Sequence, residues 1–178
     1  MLTLEKPMGA ADWLRLYKLY RAAFPRAERK PFSIIRSMYR QGRSDVWCIR
    51  RGGEFVGFAA TVNGGDLILL DYLAVDVSLR GQGIGYGAMD LLQSLYAHKG
   101  LFVEIESTLH PAINPGERRK RKQFYLNAGM EAMGTTARVF GVDMELLGSR
   151  CSLDFAQYRN FYREYYSAWA SEHIEMIP

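Results

Sequence analysis

Four glycines fall within seven positions in "RGQGIGYG", residues 80–87, directly after an apolar run and directly before a stretch with helical periodicity. Without a Cβ, such a backbone can curl so that successive N–H groups point inward together. At the mouth of a helix these donors add to the positive end of the dipole, and the combination suits phosphate. The spacing separates one kind of phosphate binder from another. No Lys-Ser or Lys-Thr follows the glycines, so the loop is not that of a nucleotide triphosphatase. A dinucleotide fingerprint fits poorly: its third position falls on Tyr86 or Ala88. Ala88 is tolerated there, and Glu104 and Glu106 lie near the distance of a ribose-binding acid, but such a unit normally opens its domain. Here two predicted helices and three predicted strands come first.

Those elements follow from periodicity and turn signals. "ADWLRLYKLYRAAF" places Trp13, Leu16, Tyr17 and Tyr20 at helical spacing, and "PFSIIRSMYRQG" repeats the pattern after the polar linker "PRAERKP". "DVWCIRR" and "EFVGFAATV", parted by Gly52-Gly53, read as a hairpin. After Asn63-Gly64-Gly65, the run "DLILLDYLAV" has the near-continuous apolarity of a central strand. The helix after the loop sets Ile84, Ala88, Leu91, Leu92, Leu95 and Tyr96 on one side, and "LFVEIES" then forms the next strand, implying a parallel or locally splayed crossover. Asn114 as N-cap, Pro115 at the first position and Glu117 at capping-box spacing open a further helix ending at Gly129. "EAMGTTARVF" and "VDMELLG" read as a closing hairpin, and residues 153–173 as one C-terminal amphipathic helix. The fold class is α/β (α+β), with a mixed sheet flanked by helices in a single domain over residues 1–178.

The part of the loop that neither phosphate motif explains is Arg80-x-x-Gly83-x-Gly85. It resembles the pyrophosphate-binding signature Gln/Arg-x-x-Gly-x-Gly/Ala of the GNAT superfamily of acetyl-CoA-dependent N-acyltransferases. "YLAVDVSLRGQGIG" is similar to the fourth strand and turn of that family, and "FYLNAGM" to its Phe-Tyr-x-x-x-Gly-Phe element, so the resemblance covers about residues 67–130. It implies a GNAT-like fold with a centrally splayed sheet, to which the C-terminal helix is an addition.

The resemblance also implies roles. The backbone N–H groups of Gly81, Gln82, Gly83, Ile84 and Gly85 would bind the pyrophosphate of acetyl-CoA, with Arg80 adding charge. Main-chain groups of Leu73, Ala74 and Val75 would pair with the pantetheine arm as if it were a strand. Tyr125 matches the tyrosine that protonates the leaving CoA thiolate, although a tyrosine that only caps its helix against the sheet fits the same position. Asn114 reads both as helix N-cap and as CoA contact; where the family more often has its asparagine, this chain has Arg118. The strand glutamate of many members is replaced by Leu69. Asp71 shares that face, and Glu104 and Glu106 share a face of the next strand, so three carboxylates are candidates for the base around one cleft, where like charge would raise a carboxyl pKa. Solvated or salt-bridged acids fit the same pattern. Glu28, in the linker between the first two helices, is a candidate for holding the amine or acting as base, unless the linker is simply an exposed loop; Glu106 is a further candidate for holding the amine. The run from Arg118 to Lys122 reads as a solvated face or as the partner of the CoA 3′-phosphate.

The expected activity is transfer of acetyl to a primary amine, on a small molecule or a peptide, by direct attack in a ternary complex. A CoA-binding sensor without turnover is the alternative. Composition agrees without deciding: 178 residues, 48% hydrophobic, net charge +4. No run is long enough to span a membrane, no signal peptide opens the chain, and the two distant cysteines form no zinc motif. A cytoplasmic protein without metal or nucleic-acid partner is expected. The aromatic C-terminal helix reads as core cover or as a homodimer contact.

Overall fold

The computed structural model describes residues 1–177. In chain order it contains β1 (Leu2–Glu5), α1 (Gly9–Ala23), α2 (Phe32–Arg40), β2 (Ser44–Arg51), β3 (Glu54–Gly64), β4 (Leu67–Val75), α3 (Ile84–Leu95) and β5 (Gly100–Glu106). There follow α4 (Pro115–Asn127), β6 (Glu131–Val139), β7 (Val142–Ser149), α5 (Phe155–Tyr165), α6 (Ala168–Glu172) and β8 (Ile174–Met176). The sheet runs β1-β2-β3-β4-β5-β7-β6-β8 and is mixed. Its parallel ladder pairs Leu67 with Gly100, Ile68 with Leu101 and Leu69 with Phe102. Among the described residues no helix is long and apolar enough to cross a membrane.

The chain divides into two compact units, and the division falls inside β4, directly after Leu69. The first unit holds residues up to Asn63 together with Leu70–Leu95. On one side of its strands Leu16 and Tyr20 of α1 and Ile35 of α2 pack with Val46, Cys48, Phe58, Tyr72 and Ala74. On the other, Ile84 and Ala88 of α3 pack with Ile49, Val56, Leu73 and Val75. The alternation along β4 is therefore plain: Tyr72 and Ala74 face α1, Leu73 and Val75 face α3. The buried stripe of α3 is Ile84, Ala88, Met89 and Leu92, with Tyr96 just beyond it. Leu95, expected on that stripe, is 49% exposed, because the i, i+4 row passes to Tyr96 and leaves the last turn's Leu95 outside it.

Helix α1 carries a buried charge that its periodicity alone does not explain. Both oxygens of Asp12 accept from Arg50 Nη2 at 2.8 Å, and Oδ2 also accepts from the Met8 N–H at 2.8 Å. Burial pushes the Asp12 carboxyl up, but these bonds outweigh it and hold the carboxyl below its usual value. Its contribution to stability is thus present above the unfolded carboxylate range and is lost as pH falls through the lowered folded value. Asp12→Ala removes the contact with Arg50 Nη2 and leaves that guanidinium to Glu5 at 3.0 Å and the Gly53 carbonyl at 3.1 Å; it is expected to cost about 1–2 kcal/mol at pH 7, read from urea melts. The deficit relative to the parent protein shrinks as pH falls below about 4.

In the second unit β5 pairs antiparallel with β7, β7 with β6, and β6 with β8. Helix α5 buries Tyr158, Phe161 and Tyr162, and Phe102 meets the Phe161 ring at 5.0 Å. The C-terminal segment is not the single helix expected. Ser167 accepts from the Ala170 N–H and caps a separate α6, and the chain then leaves helix as β8. A serine whose hydroxyl bonds the backbone N–H three residues on favours a helix start over a helix interior. The capping box predicted at Asn114 is also absent: Asn114 makes no side-chain cap bond, and the box forms at Asp154 with Gln157.

Candidate active site

The glycine loop lies in the first unit. After Val75, Asp76 accepts from the N–H and hydroxyl of Ser78 at 2.9 and 2.7 Å, fixing a 3-10 turn over Val77–Leu79. Those bonds hold the Asp76 carboxyl below its usual value. The backbone then passes through the left-handed region twice, with φ of +78° at Gly81 and +75° at Gly83, and enters α3 at the buried Ile84. Residues 80–83 are exposed, and Gln82 is held through Oε1 by Arg51 Nη1 at 2.8 Å. Among the described residues, no backbone carbonyl takes the N–H of Gly81, Gln82 or Gly83. The first-turn N–H groups of α3 lack intrahelical acceptors by geometry. Exposed, unspent donors at a helix mouth are the cradle a pyrophosphate needs.

Beside the loop, still within this unit, opens a groove of about 460 Å³ lined by three cations, Arg15, Lys18 and Arg80, and one carboxylate, Asp76, together with Leu19, Ala23 and Phe55. Arg15 and Lys18 escaped the sequence reading. Their only signal is i, i+3 spacing on the polar face of α1, which does not show that this face meets the loop.

The linker between α1 and α2 is pinned to β4. Tyr72 OH donates to the Glu28 carbonyl at 3.2 Å, Tyr20 OH donates to the Lys30 carbonyl at 2.8 Å, and the Lys30 N–H donates to Tyr72 OH at 3.3 Å. Burial pushes the Tyr72 phenol far above its usual value, so it serves as a neutral hydrogen-bonding post. Glu28 thereby sits half-buried in a short 3-10 turn, Arg26–Glu28. Asp71 is ion-paired, Oδ1 to Lys30 Nζ at 2.7 Å.

In the second unit, Glu104 accepts from Tyr158 OH at 2.7 Å and from Tyr162 OH at 2.8 and 3.0 Å. Glu106 meets Arg118 Nη2 at 2.8 Å and Arg121 Nη1 at 3.5 Å. Of the two readings of these acids, mutual like charge or ion pairing, the second fits Asp71 and Glu106, which each face a cation, while Glu104 faces two phenols. Arg118 also donates to Asn114 Oδ1 at 3.0 Å and to the Ser107 carbonyl at 3.0 Å, so the asparagine's oxygen serves its own helix. Lys122 pairs with Glu145, whose carboxyl is pushed up by burial but held low on balance by Lys122 and Thr108. The basic run is thus not one solvated face, since Arg118, Arg121 and Lys122 turn onto carboxylates and only Arg119 and Lys120 are fully exposed. Tyr125 is buried in α4 with its ring 5.0 Å from Phe124, and burial pushes its phenol up to about 12. Its hydroxyl makes no hydrogen bond among the described residues.

The sequence model of the acetyltransferase (GNAT) family matches residues 13–117, more than half of the chain. The chain belongs to this family. Acetyl-CoA is the co-substrate of GNAT acetyltransferases. Solved structures carry the same GNAT fold at low identity. An acetyltransferase of the family from Bacteroides thetaiotaomicron superposes with a TM-score of 0.77 at 15% identity, over 96% of this chain and 98% of that one. The ribosomal-protein-S18-alanine N-acetyltransferase of Escherichia coli gives 0.63 at 19%, over 86% and 96%. An aminoglycoside 6′-N-acetyltransferase complexed with coenzyme A gives 0.66 at 14%, over 84% and 96%. No curated protein matches this GNAT chain in sequence.

Proposed function

We propose that the protein is an acetyl-CoA-dependent N-acetyltransferase whose acceptor is a primary amine, on a small molecule or a peptide, attacked directly in a ternary complex. The observation that carries the reading is the loop: two left-handed glycines, Gly81 and Gly83, present unspent N–H donors at the start of α3. Leu73, Ala74 and Val75 pair with the pantetheine arm through main-chain groups, and a strand N–H stabilises the oxyanion. Tyr125 supplies the proton to the departing sulfur. Asp71 is the favoured base, because a single lysine engages it, whereas Glu104 is engaged by two phenols and Glu106 by two arginines. Glu28 and Glu106 are left to acceptor binding, and Asn114 to orienting Arg118 near the cofactor.

CoA binding followed by calorimetry and thiol release on a panel of amines test the reading together. Binding accompanied by turnover supports it, whereas binding without turnover of any amine would return the chain to the sensor class. The cations of the groove give a sharper expectation. The double replacement Arg15→Gln, Lys18→Gln should raise KM for acetyl-CoA about fivefold at low salt, the difference fading as ionic strength rises. If KM instead rises equally at all salt concentrations, these side chains act through packing and not through charge.

A further inference from the structure

We propose that Lys30 is itself an acetyl acceptor: the chain acetylates its own Lys30 from acetyl-CoA, with Asp71 taking the ammonium proton. The inference rests on the transferase reading above. Lys30 Nζ lies 2.7 Å from Asp71 Oδ1, and the two side chains are 25% and 12% exposed. A primary amine therefore already occupies the carboxylate best placed to serve as base. Its tether is ordered, because Tyr20 and Tyr72 hold the Lys30 carbonyl and N–H.

Strand β4 brings this amine to the donor. Lys30 Nζ lies 5.7 Å from the ring centre of Tyr72, the residue next to Asp71 on the strand, and the Tyr72 hydroxyl accepts from the Lys30 N–H. With pyrophosphate at residues 81–85, the pantetheine arm runs back along Val75, Ala74 and Leu73. Asp71 lies two residues beyond, about 7 Å at the rise of a strand. The thioester end of the arm and the Lys30 amine then converge on the same stretch of β4.

The step balances. Lys30 Nζ gives one proton to Asp71, which passes it to solvent. The neutral amine attacks the acetyl carbonyl, the N–C bond forms and the C–S bond breaks. As the adduct collapses, the second nitrogen proton is lost to solvent and the departing sulfur takes one up, so that CoA leaves as a thiol and one proton is released overall. The product is a neutral amide in place of the ammonium. Asp71 loses that ion pair and becomes able to receive the ammonium of an external amine.

The full chain incubated with acetyl-CoA, digested at intervals and analysed by mass spectrometry reports the acetylation rate at each lysine. Lys30 should acetylate at least about tenfold faster than the exposed Lys120, as expected for an intramolecular acceptor. Its rate should saturate with acetyl-CoA and not change on dilution of the protein. Asp71→Asn should slow Lys30 by about tenfold or more while Lys120 reacts as before. Lys30→Arg, which keeps a cation beside Asp71, should still bind CoA, showing that the fold is intact. Equal rates at Lys30 and Lys120, or a rate that falls with dilution, overturn the proposal. So does an unmodified Lys30 in a chain that binds CoA and acetylates added amines, a result that leaves the transferase reading standing. A chain that neither binds CoA nor turns over any amine overturns both.

Discussion

Replacing Tyr125 with phenylalanine is expected to lower kcat for acetyl transfer about a hundredfold while leaving the Kd for CoA within about twofold. The size follows from what the hydroxyl is free to do. The residue is buried, its hydroxyl has no hydrogen-bond partner among the described residues, and burial pushes its phenol up to about 12. Such a phenol keeps its proton throughout the range in which a model thiol of pKa about 8.5 ionises, so the hydroxyl is present to hydrogen-bond the departing sulfur, while full transfer of its proton to a thiolate runs uphill unless bound CoA brings the two values together. The sign of the pH dependence is fixed by the same shift. The raised pKa means that the acid form persists below about 12. A kcat profile should therefore show no alkaline loss from Tyr125 at pH 9, and its rise from acid pH reports the base. Stability separates the catalytic role from a structural one. Because the hydroxyl bonds nothing, Tyr125→Phe should leave Tm unchanged, whereas a helix-capping tyrosine would lose stability with its bond. An unchanged kcat would move the acid to another residue.

The parts of this molecule that were legible in its sequence are those whose physics is local. The glycine loop was legible because left-handed backbone at a helix mouth demands glycine, and Gly81 and Gly83 adopt it. The central strand and the amphipathic faces of α1 and α2 were legible by period. The short edge strands were not: four residues at Leu2–Glu5 and three at Ile174–Met176 owe their conformation to partners far along the chain, β2 and β6. The fate of each charge was equally non-local. Nothing at position 12 announces Arg50, and nothing in the run from Arg118 to Lys122 says that three of its five cations meet Glu106 and Glu145. The candidate carboxylates illustrate the same limit. Alternation relates Asp71 to Leu69, two residues before it on the strand, but whether a carboxylate stands near like charge, a cation or a phenol depends on which helix covers it. Lys30, Arg118 and the tyrosines of α5 decide that.

The loop itself should tolerate almost no side chain at Gly83, for a reason that is conformational and not steric. A Cβ built there meets nothing within 4 Å, yet φ is +75°. Gly83→Val is expected to weaken CoA binding about a hundredfold, equivalent to about 2.7 kcal/mol, and Gly83→Ala about tenfold. An L residue pays for left-handed backbone by rotating out of it, which turns the N–H groups of Gly83 and Ile84 away from the shared centre. Gly116 is the control. It too has open space around a built Cβ, but it lies in the first turn of α4 without a left-handed φ. Gly116→Ala should leave CoA binding alone and stabilise the protein by about 0.5 kcal/mol. The contrast isolates backbone direction from bulk. If Gly83→Val lowers Tm but leaves the Kd for CoA unchanged, the glycine serves the turn alone and the pyrophosphate lies elsewhere. A loss of binding larger than the loss of stability can explain requires that the donors of this turn hold the ligand.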